Sequence, residues 1–352
     1  MNNSFSSSSL RTELAPGYSI SRVVRGNWQV STGHNTVPQD RERAVRDILA
    51  YIRGGITTLD FGDIYLGVEE LIGEAMLRLS PDEYAQVQLH TKYVPDIGIL
   101  TTHGPENVRA IIDRSRVRLG VDTLGMVQFH WWDYDVPGYV DALRHIHDLR
   151  EEQKLRLVGV TNFDVLRMQE FADAGLAPAA IQLQYSLLDR RPEKGMTQFC
   201  REHGIGMLCY GTVAGGFLSE RYLGQPEPQP PYANRSLVKY KLIIDEFGGW
   251  ELLQQLLRTL HAIAEKHGAS VASIASAYVL SRPQVASVIV GARDSSHLEE
   301  HRQIASIVLD DRDHKQIAAV LDRAYDLPGD VYDLERNDPQ HSGIMHKANN
   351  AK

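Results

Sequence analysis

Cysteine is nearly missing from this 352-residue chain: Cys200 and Cys209 are the only two. That excludes a disulfide framework and makes a reducing compartment the expectation. No apolar run approaches the roughly 20 residues of a membrane span, so membrane insertion is not expected. Basic charge is not in excess either. Lys and Arg number 37 against 45 Asp and Glu, a formal charge of -8, which argues against a nucleic-acid partner. No Gly-x-Gly-x-x-Gly follows a strand-like run and no Gly-Lys dipeptide occurs, which removes the doubly wound dinucleotide fingerprint and the P-loop. His145 and His147 are two apart on a helical stretch and do not face one another, so no metal site is expected there. The Ser-rich stretch Met1–Ser9 has neither a basic start nor an apolar middle, unlike a signal peptide. Residues 1–15 are expected to form a disordered tail and the chain to be cytoplasmic.

What is present is an alternation. Apolar residues make up 43% and charged residues 23% of the chain, the composition of an ordinary globular protein. Short β-branched runs at 20–28, 55–59, 87–91, 124–129, 155–160, 180–183, 206–209 and 285–290 read as eight strands. Between them lie helical spacings, such as Ala44, Val45, Ile48 and Leu49 within 40–53, after a loop ending near Pro38. Pro105 suits a first helical turn, while Gly54-Gly55 and Gly120 suit helix ends. Strand then helix, eight times over, is the pattern of an α/β, (β/α)8 TIM barrel over 16–327. Two stretches break it. The connection 215–250, after the seventh strand, is long and rich in Pro, Gly and Tyr, as lids and disordered loops are. The segment 328–352 has no period and is expected to cover the barrel mouth or hang free.

The predicted C-terminal strand ends carry Asp60, Lys92 and His130, with Tyr65 in the loop after Asp60. That rim is where such barrels do chemistry. Each residue has a bland reading on its own: a turn aspartate, a packed tyrosine, a solvated lysine, a core histidine. Together they have a chemical logic. A phenol is a weak acid near neutrality, and a neighbouring ammonium favours its ionised form. A carboxylate holds the ammonium charged, and an imidazole can orient a carbonyl oxygen. Such a set suits protonation of that oxygen while hydride arrives at carbon.

The stretch 59–73, with Asp60, four residues, Tyr65 and then Gly67 opening an acidic helix, resembles the aldo-keto reductase signature. Leu89–Lys92, Leu124–Asp133, Val158–Phe163, Ile181–Ser186 and Cys209–Leu218 resemble further motifs of the family, in its order. The resemblance implies Tyr65 as general acid, Asp60 and Lys92 as its tuning pair, and His130 as the residue that positions substrate. It implies NADPH/NADP+ as cofactor, with NADH possible. Asp60, Thr161, Asn162 and Gln182 would lie by the nicotinamide, with Tyr210 stacked on the ring. Gly211, Leu218, Ser219 and Arg221 would line the ribose and diphosphate.

The last motif departs from the pattern. Val288–Arg293 has Val290 where many members have Pro, and no Lys. Gly291 remains, and Arg293 could bind the adenosine 2′-phosphate through its guanidinium fork. His297 and His301, on an expected helix 296–309, could contact phosphate and adenine or could simply be surface residues. Trp28 and Trp131 are expected to face a small-molecule carbonyl or alcohol substrate, with Tyr65 and His130. The alternatives are a redox-sensing or regulatory subunit with little turnover, and a sugar or polyol dehydrogenase running in the oxidative direction.

Overall fold

The computed structural model describes residues 10–32 and 40–345. The loop around Pro38 and the stretch 1–9 lie outside the described residues. Eight parallel strands close into a barrel: β3 (Val23–Gly26), β4 (Thr58–Asp60), β5 (Gln88–Tyr93), β6 (Leu124–Phe129), β7 (Leu155–Thr161), β8 (Ala180–Gln184), β9 (Gly206–Tyr210) and β10 (Val285–Gly291), which pairs back onto β3. Every strand is almost wholly buried, because helices cover the outside and side chains fill the inside.

The helices start and stop where local chemistry directs. Asp40 caps helix Arg41–Arg53 by accepting from the Arg43 amide at 3.1 Å. Pro105 opens helix Pro105–Leu119, and Gly120 ends it in a left-handed conformation. The buried faces of these helices are the apolar positions that recur every three to four residues.

Four expectations need correction. The run 20–28 is not one strand: Ile20 and Ser21 end β2 (Tyr18–Ser21), and the barrel strand begins at Val23. Part of the expected tail is structured, since β1 (Arg11–Ala15) pairs antiparallel with β2 across a Pro16-Gly17 turn. Leu14, Tyr18 and Ile20 from this hairpin pack against Val24, Met126, Ala180, Leu208, Ala286 and Ile289, which plugs the N-terminal end of the barrel. The fit is close: a Cβ on Gly125 would lie 2.6 Å from the Tyr18 hydroxyl. The connection 215–250 is not loop throughout, because Arg235–Phe247 is a helix capped by Asn234. Finally, the helix expected over 296–309 spans only Leu298–Ile304.

The C-terminal segment packs onto the opposite end of the barrel from the hairpin. It includes the short helix Asp333–Asn337, with Tyr332, Leu334 and Glu335 buried. Among the described residues no helix is long and apolar enough to cross a membrane.

Candidate active site

Alternation along each strand sends every second side chain inward. Register then sets depth. Asp60 on β4 pairs beside Gly26 and His90, while Lys92 on β5 pairs beside Gln128 on β6. The result is a polar layer across the barrel near its C-terminal end. The Lys92 ammonium donates to Asp60 Oδ1 at 2.7 Å and to the Phe61 carbonyl at 2.7 Å. The other Asp60 oxygen accepts from Gln128 Nε2 at 2.8 Å and Gln182 Nε2 at 2.5 Å. Gln182 also donates to Gln128 Oε1 at 2.9 Å. Asp60 is thus saturated, as a buried carboxylate must be.

Tyr65 sits in the turn after β4, its amide bonded to the Gly62 carbonyl at 2.9 Å. Its phenol is hydrogen-bonded to Lys92, whose ammonium lies 5.1 Å from the ring centre. Burial works against the Lys92 charge, yet Asp60 and Tyr65 outweigh it and hold the ammonium above its ordinary value. For Tyr65 the balance differs from the expectation of a lowered phenol. Burial raises it, and Lys92 offsets only part of the rise. The phenol therefore keeps its proton at neutral pH.

His130 follows β6 on the same inward face as Gln128, one step nearer the mouth. Its Nδ1 is 3.0 Å from the Thr161 carbonyl oxygen. Burial, assisted by the Arg336 charge, pushes its pKa down to about 3, so the ring is neutral. A carbonyl can only accept, so Nδ1 carries the proton and Nε2 presents a lone pair. That Nε2 is buried with no partner among the described residues.

On the next strands, Asn162 stands at φ 62 and its side-chain oxygen accepts from the Tyr210 hydroxyl at 2.9 Å. Tyr210 ends β9 with its ring half-buried. Gly211 follows at φ 75, and a Cβ there would meet the Tyr240 hydroxyl at 2.3 Å. Leu218 is fully buried, so it presents no surface along the loop after β9. Ser219 is half-buried and donates to the Gly216 carbonyl at 2.6 Å. Arg221 and Arg293 are exposed, at the loop after β9 and the end of β10 beside Gly291. His297 is exposed and faces Glu300 at 3.3 Å. His301 instead bonds the Tyr51 hydroxyl at 2.7 Å, and burial lowers its pKa to about 4.

Trp28 and Trp131 part company. Trp28 is half-buried with its ring 4.8 Å from that of Tyr65, at the pocket wall. Trp131 is fully buried, donates from its indole nitrogen to the Val136 carbonyl at 3.0 Å and packs among His103 and Phe129. It does not face the pocket. The neighbouring Trp132 does the nearer work, standing edge-on to His130 at 4.5 Å between ring centres.

Several residues of the mouth carried no sequence signal. Arg336 donates to the carbonyls of Trp131 at 2.5 Å, Trp132 at 2.8 Å and Asn162 at 2.8 Å. It also stacks on Tyr134 at 3.9 Å. Tyr332 stands edge-on to His130 with ring centres 5.7 Å apart. Glu335 ion-pairs with Arg191 at 3.1 Å and Lys239 at 3.2 Å, and Arg191 reaches Asp189 at 2.7 Å. Gln128 was findable, because a glutamine inside an apolar strand must have a buried partner. Arg336 and Tyr332 were not, because the segment that carries them has no period.

The profile of the aldo/keto reductase family matches residues 22–322. The chain belongs to that family. It is therefore an oxidoreductase of the aldo-keto reductase kind. The NADH-specific methylglyoxal reductase of Escherichia coli is 25% identical over 86% of this chain and 96% of its own length. An aldo-keto reductase of Bacillus subtilis is 26% identical over 89% of this chain and 93% of its own. The solved glycerol dehydrogenase of Gluconobacter oxydans superposes with a TM-score of 0.77 at 25% identity, covering 92% of this chain and 98% of that one. An aldo/keto reductase from Klebsiella pneumoniae, solved with NADP and acetate, shares the fold at a TM-score of 0.66 and 22% identity, covering 86% of this chain and 92% of that one.

Proposed function

We propose that this aldo-keto reductase is an NADPH-dependent carbonyl reductase in which Tyr65 is the general acid. The observation that carries the reading is one ammonium, Lys92, joined both to the Asp60 carboxylate and to the Tyr65 phenol. Burial keeps the Tyr65 proton in place at rest. Lys92 then stabilises the negative charge that grows on the phenol oxygen as the proton leaves. Asp60, held by Gln128 and Gln182, keeps Lys92 fixed and charged.

The residues present suit a nicotinamide dinucleotide. When bound, the reduced nicotinamide supplies a hydride to the carbonyl carbon. Tyr210 offers a flat face at the barrel mouth, locked by its bond to Asn162. Thr161 and Asn162 lie beside it at the end of β7. Gln182 has given its amide protons to Asp60 and Gln128, so it has only its oxygen left to offer a carboxamide. The loop from Gly211 to Arg221 lies after β9. Arg221 and Arg293 make no ion pair among the described residues, although the chain is acidic overall. Two guanidiniums without a carboxylate partner, Arg221 in the loop after β9 and resting on the Tyr222 ring, and Arg293 just past β10, fit a diphosphate and a 2′-phosphate. This favours NADPH and leaves NADH usable.

A second reading, oxidation of a polyol by the same residues in reverse, is favoured by the bare Nε2 of His130, which can accept from a hydroxyl. Tyr65→Phe tests the main reading. Turnover on a carbonyl panel, followed by the absorbance of reduced nicotinamide, should fall by about 10²- to 10⁴-fold. Nucleotide binding, followed by fluorescence, should persist. Turnover equal to wild type would refute the assignment of Tyr65.

A further inference from the structure

The C-terminal segment brings one residue to the pocket in a strained conformation. Tyr332 stands at φ 62 and ψ 13, a left-handed backbone that an aromatic side chain rarely takes. Such strain persists only where the surroundings impose it, and here the straps are visible. Asp330 accepts from the Val165 amide at 2.8 Å, beyond the end of β7. Glu335 is tied to Arg191, beyond β8, at 3.1 Å and to Lys239, in the helix Arg235–Phe247 after β9, at 3.2 Å. Arg336 holds the carbonyls of Trp131, Trp132 and Asn162, which follow β6 and β7, and its own amide donates to the Tyr332 carbonyl at 3.2 Å. Ties to the connections after four successive strands thus fix one tyrosine.

Those ties set the Tyr332 side chain among the residues of the candidate site. Its ring is edge-on to His130 at 5.7 Å. The Lys239 ammonium lies 5.7 Å from the Tyr332 ring centre and 5.6 Å from that of Tyr210. Tyr332 is also within electrostatic reach of Tyr65, so a charge on one phenol opposes a charge on the other. The residue is only 5% exposed, yet its hydroxyl makes no hydrogen bond among the described residues. Nor is that oxygen sealed in, unlike the partnerless Tyr18 hydroxyl at the far end of the barrel. A buried tyrosine normally satisfies its hydroxyl. A phenylalanine would fill the same space, so packing accounts for the ring and leaves the oxygen unexplained.

We propose that Tyr332 is a second substrate-contacting phenol, whose hydroxyl donates a hydrogen bond to the same oxygen that Tyr65 protonates. The proposal rests on the reading of Tyr65 as general acid and adds a residue to it. As hydride arrives at the carbonyl carbon, the carbon–oxygen π electrons move to oxygen and the Tyr65 proton bonds there. Tyr332 keeps its own proton throughout. Burial, then the Glu335 carboxylate, raises its pKa, and Arg336 offsets only part of the rise, so the hydroxyl stays a donor at any working pH. A fixed donor aimed at developing charge favours the transition state over the bound substrate.

Tyr332→Phe removes only the oxygen and keeps the ring. With the full chain, NADPH and benzaldehyde, kcat/KM should fall by about 10- to 100-fold, with the loss mainly in kcat. The fall should be the same across the working pH range, because the lost donor does not titrate there. Thermal melting and NADPH binding, followed by fluorescence, should match wild type. A second measurement needs no turnover. Benzaldehyde labelled with ¹³C at the carbonyl is bound to the chain together with NADP+, which has no hydride to give. The infrared stretch of the labelled carbonyl should move to higher frequency in Tyr332→Phe, since one donor to its oxygen is gone. Wild-type kcat/KM with an unshifted carbonyl band would overturn the proposal, and so would a fall in turnover matched by an equal loss of NADPH binding. Failure of the underlying reading looks different: Tyr65→Phe would then turn over benzaldehyde like wild type.

Discussion

Asp60→Asn removes one charge from the centre of the polar layer while keeping its shape. The Lys92 ammonium is 2.7 Å from the carboxylate oxygen, and both side chains are only 6% exposed. At an effective dielectric of about 20, a full charge pair at that distance is worth on the order of 6 kcal/mol. The variant does not lose all of this, since Lys92 can release its proton and escape the cost of an unpaired buried charge. The expected loss of stability is therefore about 3–5 kcal/mol, the usual result of breaking one side of a buried pair. The sign of the pH effect follows. In the wild type Lys92 sits above its ordinary value and stays charged through the working range. Without Asp60, burial dominates and drives Lys92 below its ordinary value. The ammonium that Tyr65 needs is then present at low pH and lost as pH rises. Carbonyl reduction by Asp60→Asn should be slower than wild type by about 10²-fold or more at neutral pH, and it should recover as pH falls toward 5. Urea unfolding gives the stability, and kcat against pH gives the titration. A variant with wild-type stability and a flat profile would refute the claim that Asp60 keeps Lys92 charged.

Arg293→Ala should raise KM for NADPH by about tenfold or more and leave KM for NADH unchanged, as loss of a charge-assisted phosphate contact requires; steady-state kinetics with both cofactors checks it. Glu335→Gln should destabilise the chain by about 3 kcal/mol near neutrality, because Arg191 and Lys239 lose their shared buried partner. Those charges hold the Glu335 carboxyl down to about 2 despite burial, so its contribution is complete above the unfolded value of about 4.3 and fades as pH falls toward 2. The gap between wild type and variant in denaturant midpoint should shrink over that window. Gly211→Ala should cost about 1–3 kcal/mol, since the backbone there is left-handed and the added carbon would meet the Tyr240 hydroxyl at 2.3 Å. Thermal melts should show part of that loss restored when Tyr240→Phe is added, because the next atom of the ring is 3.2 Å away.

The barrel was legible because its strands are nearly all-apolar runs separated by amphipathic helices, and that alternation has few other folded solutions. The buried polar layer was legible for a different reason. Asp60, Lys92 and His130 are polar groups at the ends of apolar strands, where a buried charge or polar ring needs a partner. The hairpin 11–21 was missed because a serine-rich lead masked the Pro16-Gly17 turn that announces it. The two tryptophans after His130 could not be sorted by type, since the choice between pocket and core rests on whether an indole nitrogen finds a carbonyl nearby. Both nitrogens do, at Val136 and at Pro95, yet only Trp132 touches His130. The fixed proton on His130 depends on a carbonyl 31 residues away in sequence, and no local pattern reports such a contact.

The grip of Arg336 on three amide oxygens has one more consequence. Peptide carbonyls do not titrate between mild acid and mild alkali and carry no net charge for dissolved ions to neutralise. The flank of the pocket formed by Tyr332 and Trp132 is thus set once, when the chain folds, and stays the same in any buffer. Among the described residues Arg336 does not grip the chain at Trp28, which is half-buried against the Tyr65 ring, so substitutions there should alter the range of accepted molecules more readily than substitutions at Trp132.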